Sequence, residues 1–124
     1  MKYFVIFITL FLLAVPQAQA GELSGKASYY SRAGCLGCSK TFTMANGEVL
    51  DDSKLTIALT PQTVRKYKLL NDYVKVINVK NKKWIIAKVT DTGGFAKYNR
   101  VADLGLAVKE ALGCSSICNV IIIY

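Results

Sequence analysis

The chain has no histidine, one tryptophan and two prolines in 124 residues, and only 8 Asp and Glu stand against 16 Lys and Arg. Without histidine, any proton donor working near neutral pH has to be a carboxylic acid of raised pKa. The sequence also lacks repeats, linkers and low-complexity segments, which excludes solenoids and multidomain arrangements. After the N-terminal segment there is no further apolar run of membrane-spanning length. The seven-residue "CNVIIIY", Cys118 to Tyr124, has the length of a buried strand.

The first twenty residues combine a positive start at Lys2, an apolar stretch from Tyr3 to Val15, Pro16 and the small-residue ending "AQA". This pattern is expected to be a secretory signal cleaved after Ala20, with Gly21–Tyr124 as a single small domain. No cysteine follows the cleavage point, so no lipid anchor is expected, and no transmembrane anchor remains after cleavage. The expected location is secreted or periplasmic. The net charge of +8, lowered by one when Lys2 is removed, favours anionic partners such as wall polymers or membrane surfaces, and export argues against nucleic acid.

Four cysteines in so small an exported domain are read as two disulfides. Cys35 and Cys38 form one cluster, Cys114 and Cys118 the other, and three pairings are open. Closing a loop of about eighty residues restricts the unfolded chain more than closing a very short one, so bridges between the clusters are expected. Zinc held by the four thiolates is the rival reading.

Element signals are mostly those of strands. "SGKASYY" reads as a first strand and "LTIALT" as a buried one, after which Thr60 caps a helix opening at Pro61. Two β-rich runs flank the polar "KNKK", predicting a hairpin of Tyr73–Val79 with Trp84–Asp91. A second helix is expected over Leu106–Leu112, ending at Gly113, and "NVIIIY" supplies a closing strand. Closure into a small barrel would leave no open sheet edge.

Four stretches in order resemble one family. They are "GKASYY", "MANGEVLD", "VKVINVKNKKWIIAKVTDTGGF" and "RVADLGLAVKEALG". They are similar to the family patterns G-x-A-S-x-Y, A-N-G-E-x-[FY]-D, V-x-V-T-N-x-x-N-G with V-x-[VI]-x-D-R-G-P-F, and R-[IV]-[IV]-D-L-S of rare lipoprotein A-type (RlpA-like) domains. The resemblance implies a mainly β fold: a six-stranded double-psi β-barrel with two short, inserted helices, here disulfide-braced, related to the expansin and barwin-like barrels. It further implies a peptidoglycan lytic transglycosylase, which cleaves glycan strands to anhydro-muramic ends without consuming water.

By the same resemblance the catalytic candidates are Asp91, Asp103, Glu48 and Asp51, with Asp91 as acid and then base. The family histidine is absent, "TIALTP" standing in its place, and Gly105 replaces the family serine. "IALTP" is closer to the expansin and barwin-like branch, so the alternative is a non-catalytic module that binds wall polysaccharide. A third reading is an exported effector or inhibitor built on the same scaffold. Phe95 and Tyr98 are candidate stacking surfaces for sugar rings, with Lys97 and Arg100 as a basic rim. The expected partner is peptidoglycan or another cell-wall glycan, bound by a monomer that uses no cofactor and no metal. Simpler roles stand beside these: Asp91 as the residue that opens a turn, accepting an N–H two residues on, Asp103 as a helix cap, and Glu48 and Asp51 as solvated loop residues.

Overall fold

A computed structural model describes residues 21–35 and 38–124. The expected signal segment lies outside the described residues. Six strands are formed: β1 (Glu22–Tyr30), β2 (Thr56–Leu59), β3 (Tyr73–Asn78), β4 (Trp84–Thr92), β5 (Arg100–Gly105) and β6 (Cys118–Ile123). They close into a barrel in the order β1-β5-β2-β4-β3-β6. Two pairs, β1 with β5 and β2 with β4, are parallel, and the other four are antiparallel. Each parallel pair carries a register irregularity, after Lys26 in β1 and after Ile57 in β2.

Alternation fixes which way each strand faces. Val74 and Val76 of β3 and Ala87 and Val89 of β4 point inward, and Val120 and Ile122 of β6 complete that wall, all of them fully buried or nearly so. Burying each of these valines and the isoleucine contributes roughly 1.5–3 kcal/mol. The central core holds both Cys114 and Cys118. A smaller cluster of Tyr30, Met44, Leu50, Ala58 and Phe95 sits beneath the loop that joins β1 to β2.

The helices α1 (Pro61–Tyr67) and α2 (Leu106–Leu112) lie where the sequence predicts them. Thr60 Oγ1 accepts the Thr63 N–H at 3.3 Å, the expected N-cap, and Gly113 ends α2 in the left-handed conformation at φ 66°. The Leu112 carbonyl, one of the groups a helix end leaves unpaired, accepts from both Asn78 and Asn81 of the β3–β4 hairpin at 2.9 Å.

Three expectations need correction. The disulfides join Cys35 to Cys38 and Cys114 to Cys118, within the clusters and not between them. The first pair packs beside the small cluster under the loop and the second lies in the barrel core, so closure of the barrel separates them. Asp103 does not cap α2, whose N-cap is Gly105 without any side-chain bond. Instead, Asp103 is inside β5, a strand the periodicity left unassigned because Arg100–Gly105 shows no clean alternation. Asp91 does not bond the N–H two residues on, which goes to the Leu59 carbonyl.

Candidate functional site

One row of the sheet organises the site. Ala58 of β2 is in register with Asp103 on β5 and with Asp91 on β4, and Asp103 is in turn in register with Ser28 on β1. Neighbouring strands lie about 4.8 Å apart, which puts the two aspartate backbones roughly 10 Å from one another. The small Ala58 side chain lies between them. A cleft of about 570 Å³ opens there, lined by Asp91, Asp103, Ser28, Tyr29 and Tyr30, by the turn Gly93–Gly94, and by Phe95, Lys97, Tyr98 and Arg100. The Cys35–Cys38 bridge forms part of its rim.

Both carboxylates act as acceptors. Asp91 Oδ1 takes the N–H of Ala45 at 3.0 Å and of Thr92 at 2.9 Å, which fixes the β1–β2 loop against the end of β4. Asp103 Oδ1 accepts the Ser28 hydroxyl, and Ser28 Oγ accepts Arg100 Nη1 at 2.6 Å. The resulting relay, Arg100 to Ser28 to Asp103, orients three cleft residues at once.

Tyr30 lies on the cleft floor with its hydroxyl buried and without a hydrogen-bond partner. Burial pushes its phenol above the usual tyrosine range, and the negative charges of Asp91 and Asp103 add to that, while the Thr56 and Thr90 hydroxyls pull partly the other way. At neutral pH the phenol therefore keeps its proton.

The sequence-predicted residues divide cleanly. Asp91, Asp103, Phe95, Lys97, Tyr98 and Arg100 come together in this cleft. Phe95, however, is only 4% exposed and packs with Tyr30 and Met44, so it serves as wall and leaves no free stacking face. Tyr98 is 63% exposed, on the short 3₁₀ turn Phe95–Tyr98, with Lys97 Nζ and Arg100 Cζ at 5.2 and 5.4 Å from its ring. Glu48 and Asp51 lie outside. Glu48 pairs with Lys88 at 2.9 Å, the contact that chiefly holds its carboxyl below the usual range. Asp51 is held low mainly by the Ser53 hydroxyl and N–H, and lines a separate shallow hollow with Arg32 and Asp52.

Sequence reasoning passed over Ser28, Tyr29 and Tyr30 as site residues. Tyr29 is 39% exposed on the cleft wall, with Lys109 Nζ 4.8 Å from its ring. The available signal was the "ASYY" motif itself, quoted for the resemblance but read as strand. Among the described residues no group of three His, Cys, Asp or Glu is arranged to hold a metal ion.

The closed six-stranded barrel with two parallel pairs and a cleft at the ends of those pairs defines a double-psi β-barrel, the fold the resemblance implies. Solved structures of that kind match it. An expansin of Clavibacter michiganensis superposes with a TM-score of 0.60 at 18% identity, covering 82% of this chain and 49% of the expansin. A mutant of that expansin in complex with cellohexaose matches with the same TM-score at 16% identity. The Streptomyces papain inhibitor matches with a TM-score of 0.56 at 18% identity, over 83% of this chain and 94% of the inhibitor. The rationally designed protein mkDPBB_sym2 also matches, with a TM-score of 0.50. The chain thus spans about half the length of the expansin structures. No protein-family model and no curated protein matches it.

Proposed function

We propose that this protein is an exported polysaccharide-binding barrel that holds a cell-wall glycan in the cleft between Asp91 and Asp103. The observation that carries this reading is the single sheet row Asp103–Ala58–Asp91, flanked by the exposed rings of Tyr29 and Tyr98. Carboxylates accept sugar hydroxyls through charge-assisted bonds, and the C–H faces of sugar rings pack on aromatic rings. A mutant of the Clavibacter expansin, of which this chain covers 49%, is solved in complex with cellohexaose, which supports a glycan as ligand. Lys97 and Arg100 on the rim suit a glycan that carries carboxylates, peptidoglycan among them. The two disulfides fit an oxidising compartment.

Binding is preferred over cleavage because both cleft carboxylates already serve as acceptors and the chain has no histidine. The test is co-sedimentation of the oxidised domain with cellulose and with peptidoglycan, with mass spectrometry of the supernatant. Binding that drops at least tenfold in Asp91→Asn and Tyr98→Ala, without soluble fragments, supports the binding barrel. Anhydro-ended fragments that vanish in Asp91→Asn would instead make it a lytic transglycosylase. Undiminished binding in both variants would move the glycan out of this cleft.

A second reading rests on size. The barrel covers 94% of the papain inhibitor and 49% of the expansin, which fits a scaffold that blocks a protease. Titration of papain activity with the domain decides it, inhibition at stoichiometric concentration being the outcome that favours this reading.

A further inference from the structure

Far from the cleft, the outer face of the β3–β4 hairpin breaks the usual pattern for a sheet with one face in water, where outward positions are polar. Trp84 stands in register with Ile77, which stands in register with Ile121 of β6; in the next row Ile86 faces Lys75, which faces Ile123. Tyr73, Trp84 and Ile86 are 66%, 55% and 45% exposed. The hairpin turn brings a dense positive charge to this apolar face. Residues 73–90 include five lysines and no Asp or Glu. Asp72 and Asp91 flank this stretch in the chain, Glu48 is engaged by Lys88, and Glu22 lies two strands from Lys75.

The charge decides among occupants. A second copy would set lysines against lysines. A soluble polyanion would satisfy the lysines and leave the isoleucines and rings wet. An anionic bilayer surface satisfies both, because aromatic rings favour the headgroup level, short apolar side chains reach the acyl boundary, and lysines meet lipid phosphates.

We propose that the outer face of the β3–β4 hairpin docks the protein on an anionic phospholipid surface, with Trp84 inserted at the interface and with Lys80 and Lys75, whose Nζ lies 4.4 Å from the Trp84 ring, on the headgroups. The cleft lies at the other end of β4, nine residues long, about 26 Å away at roughly 3.3 Å per residue. Docking therefore leaves the cleft open to a glycan, and the two sites are separable by mutation.

Trp84 is the only tryptophan of the chain and so reports on the contact directly. The experiment follows its emission as vesicles of phosphatidylglycerol and phosphatidylcholine are added, with pure phosphatidylcholine vesicles and dextran sulfate as controls. A blue shift confined to the anionic vesicles, quenched by brominated lipid, is the expected result. Lys75→Gln with Lys80→Gln should weaken vesicle binding roughly 25-fold, at about fivefold for each lysine near the surface. Ile86→Asn should weaken it while leaving cellulose and peptidoglycan sedimentation unchanged. No shift with anionic vesicles overturns the proposal, as does an equal shift with dextran sulfate, which would make the face a polyanion site. Vesicle affinity untouched by the double lysine variant overturns it as well.

Discussion

Tyr30 concentrates what is unusual at the residue scale. A buried hydroxyl without a partner costs about 1–3 kcal/mol relative to a satisfied one. Tyr30→Phe is therefore expected to keep or slightly raise stability in urea unfolding and, because the hydroxyl has no exposed surface, to leave glycan binding unchanged. Stability that falls in the variant would mean that the Thr56 or Thr90 hydroxyl holds the phenol. Its ionisation adds a pH signature. The folded phenol titrates above its ordinary value of 10, so between that value and the higher folded one the unfolded chain has lost a proton that the folded protein keeps, and stability falls as pH rises. Unfolding midpoints measured from pH 8 to 11 should show that decline in the wild type and a shallower one in Tyr30→Phe. Glu48 acts in the opposite direction, its exposed pair with Lys88 contributing a small stability above about pH 4.5 that is lost as pH falls through its lower folded value.

Strand β5 is the element on which the site depends, since it carries both Arg100 and Asp103 and ends at Gly105. The resemblance noted Gly105 as a departure, a glycine in place of a capping serine, and the packing explains it. A Cβ at that position would stand 2.8 Å from Thr56 Oγ1 and 2.9 Å from the Thr56 carbonyl oxygen, which is backbone and cannot turn aside. Gly105→Ala should therefore push β5 from β2 and cost roughly 1–3 kcal/mol in urea denaturation. Because Asp103 and Ala58 pair across the same two strands, glycan affinity should fall with it. Full stability in Gly105→Ala would mean that β2 can shift without loss.

For the whole molecule, the local disulfides change how much covalent bracing the fold receives. Bridges of sequence separation 3 and 4 restrict the unfolded chain by about 2 kcal/mol apiece on a loop-entropy account, less than half of what one long bridge would contribute. The barrel must then owe most of its stability to the closed sheet. Replacing Cys114 and Cys118 by alanine is expected to lower stability by about 2 kcal/mol and leave glycan binding intact, as that bridge sits in the core away from the cleft. Replacing Cys35 and Cys38 should instead weaken binding more than stability, because they edge the cleft. Calorimetry beside sedimentation separates the two. No described helix is long and apolar enough to cross a membrane.

Much of this was legible in the sequence. The β3–β4 hairpin, both helices with Thr60 and Gly113 at their ends, and the closing strand follow from alternation, capping chemistry and turn residues, which act over a few neighbouring positions. The family resemblance supplied the barrel and singled out Asp91 and Asp103. What only the tertiary structure decided is whatever depends on residues distant in the chain. Barrel closure set Ala58 between two aspartates 33 and 45 positions away, assigned Asp103 to a strand, buried Phe95, and kept the two cysteine clusters apart. Entropy of the open chain favours long bridges, but a bridge forms only between sulfurs that the folded backbone brings together, and in this barrel those are the near neighbours.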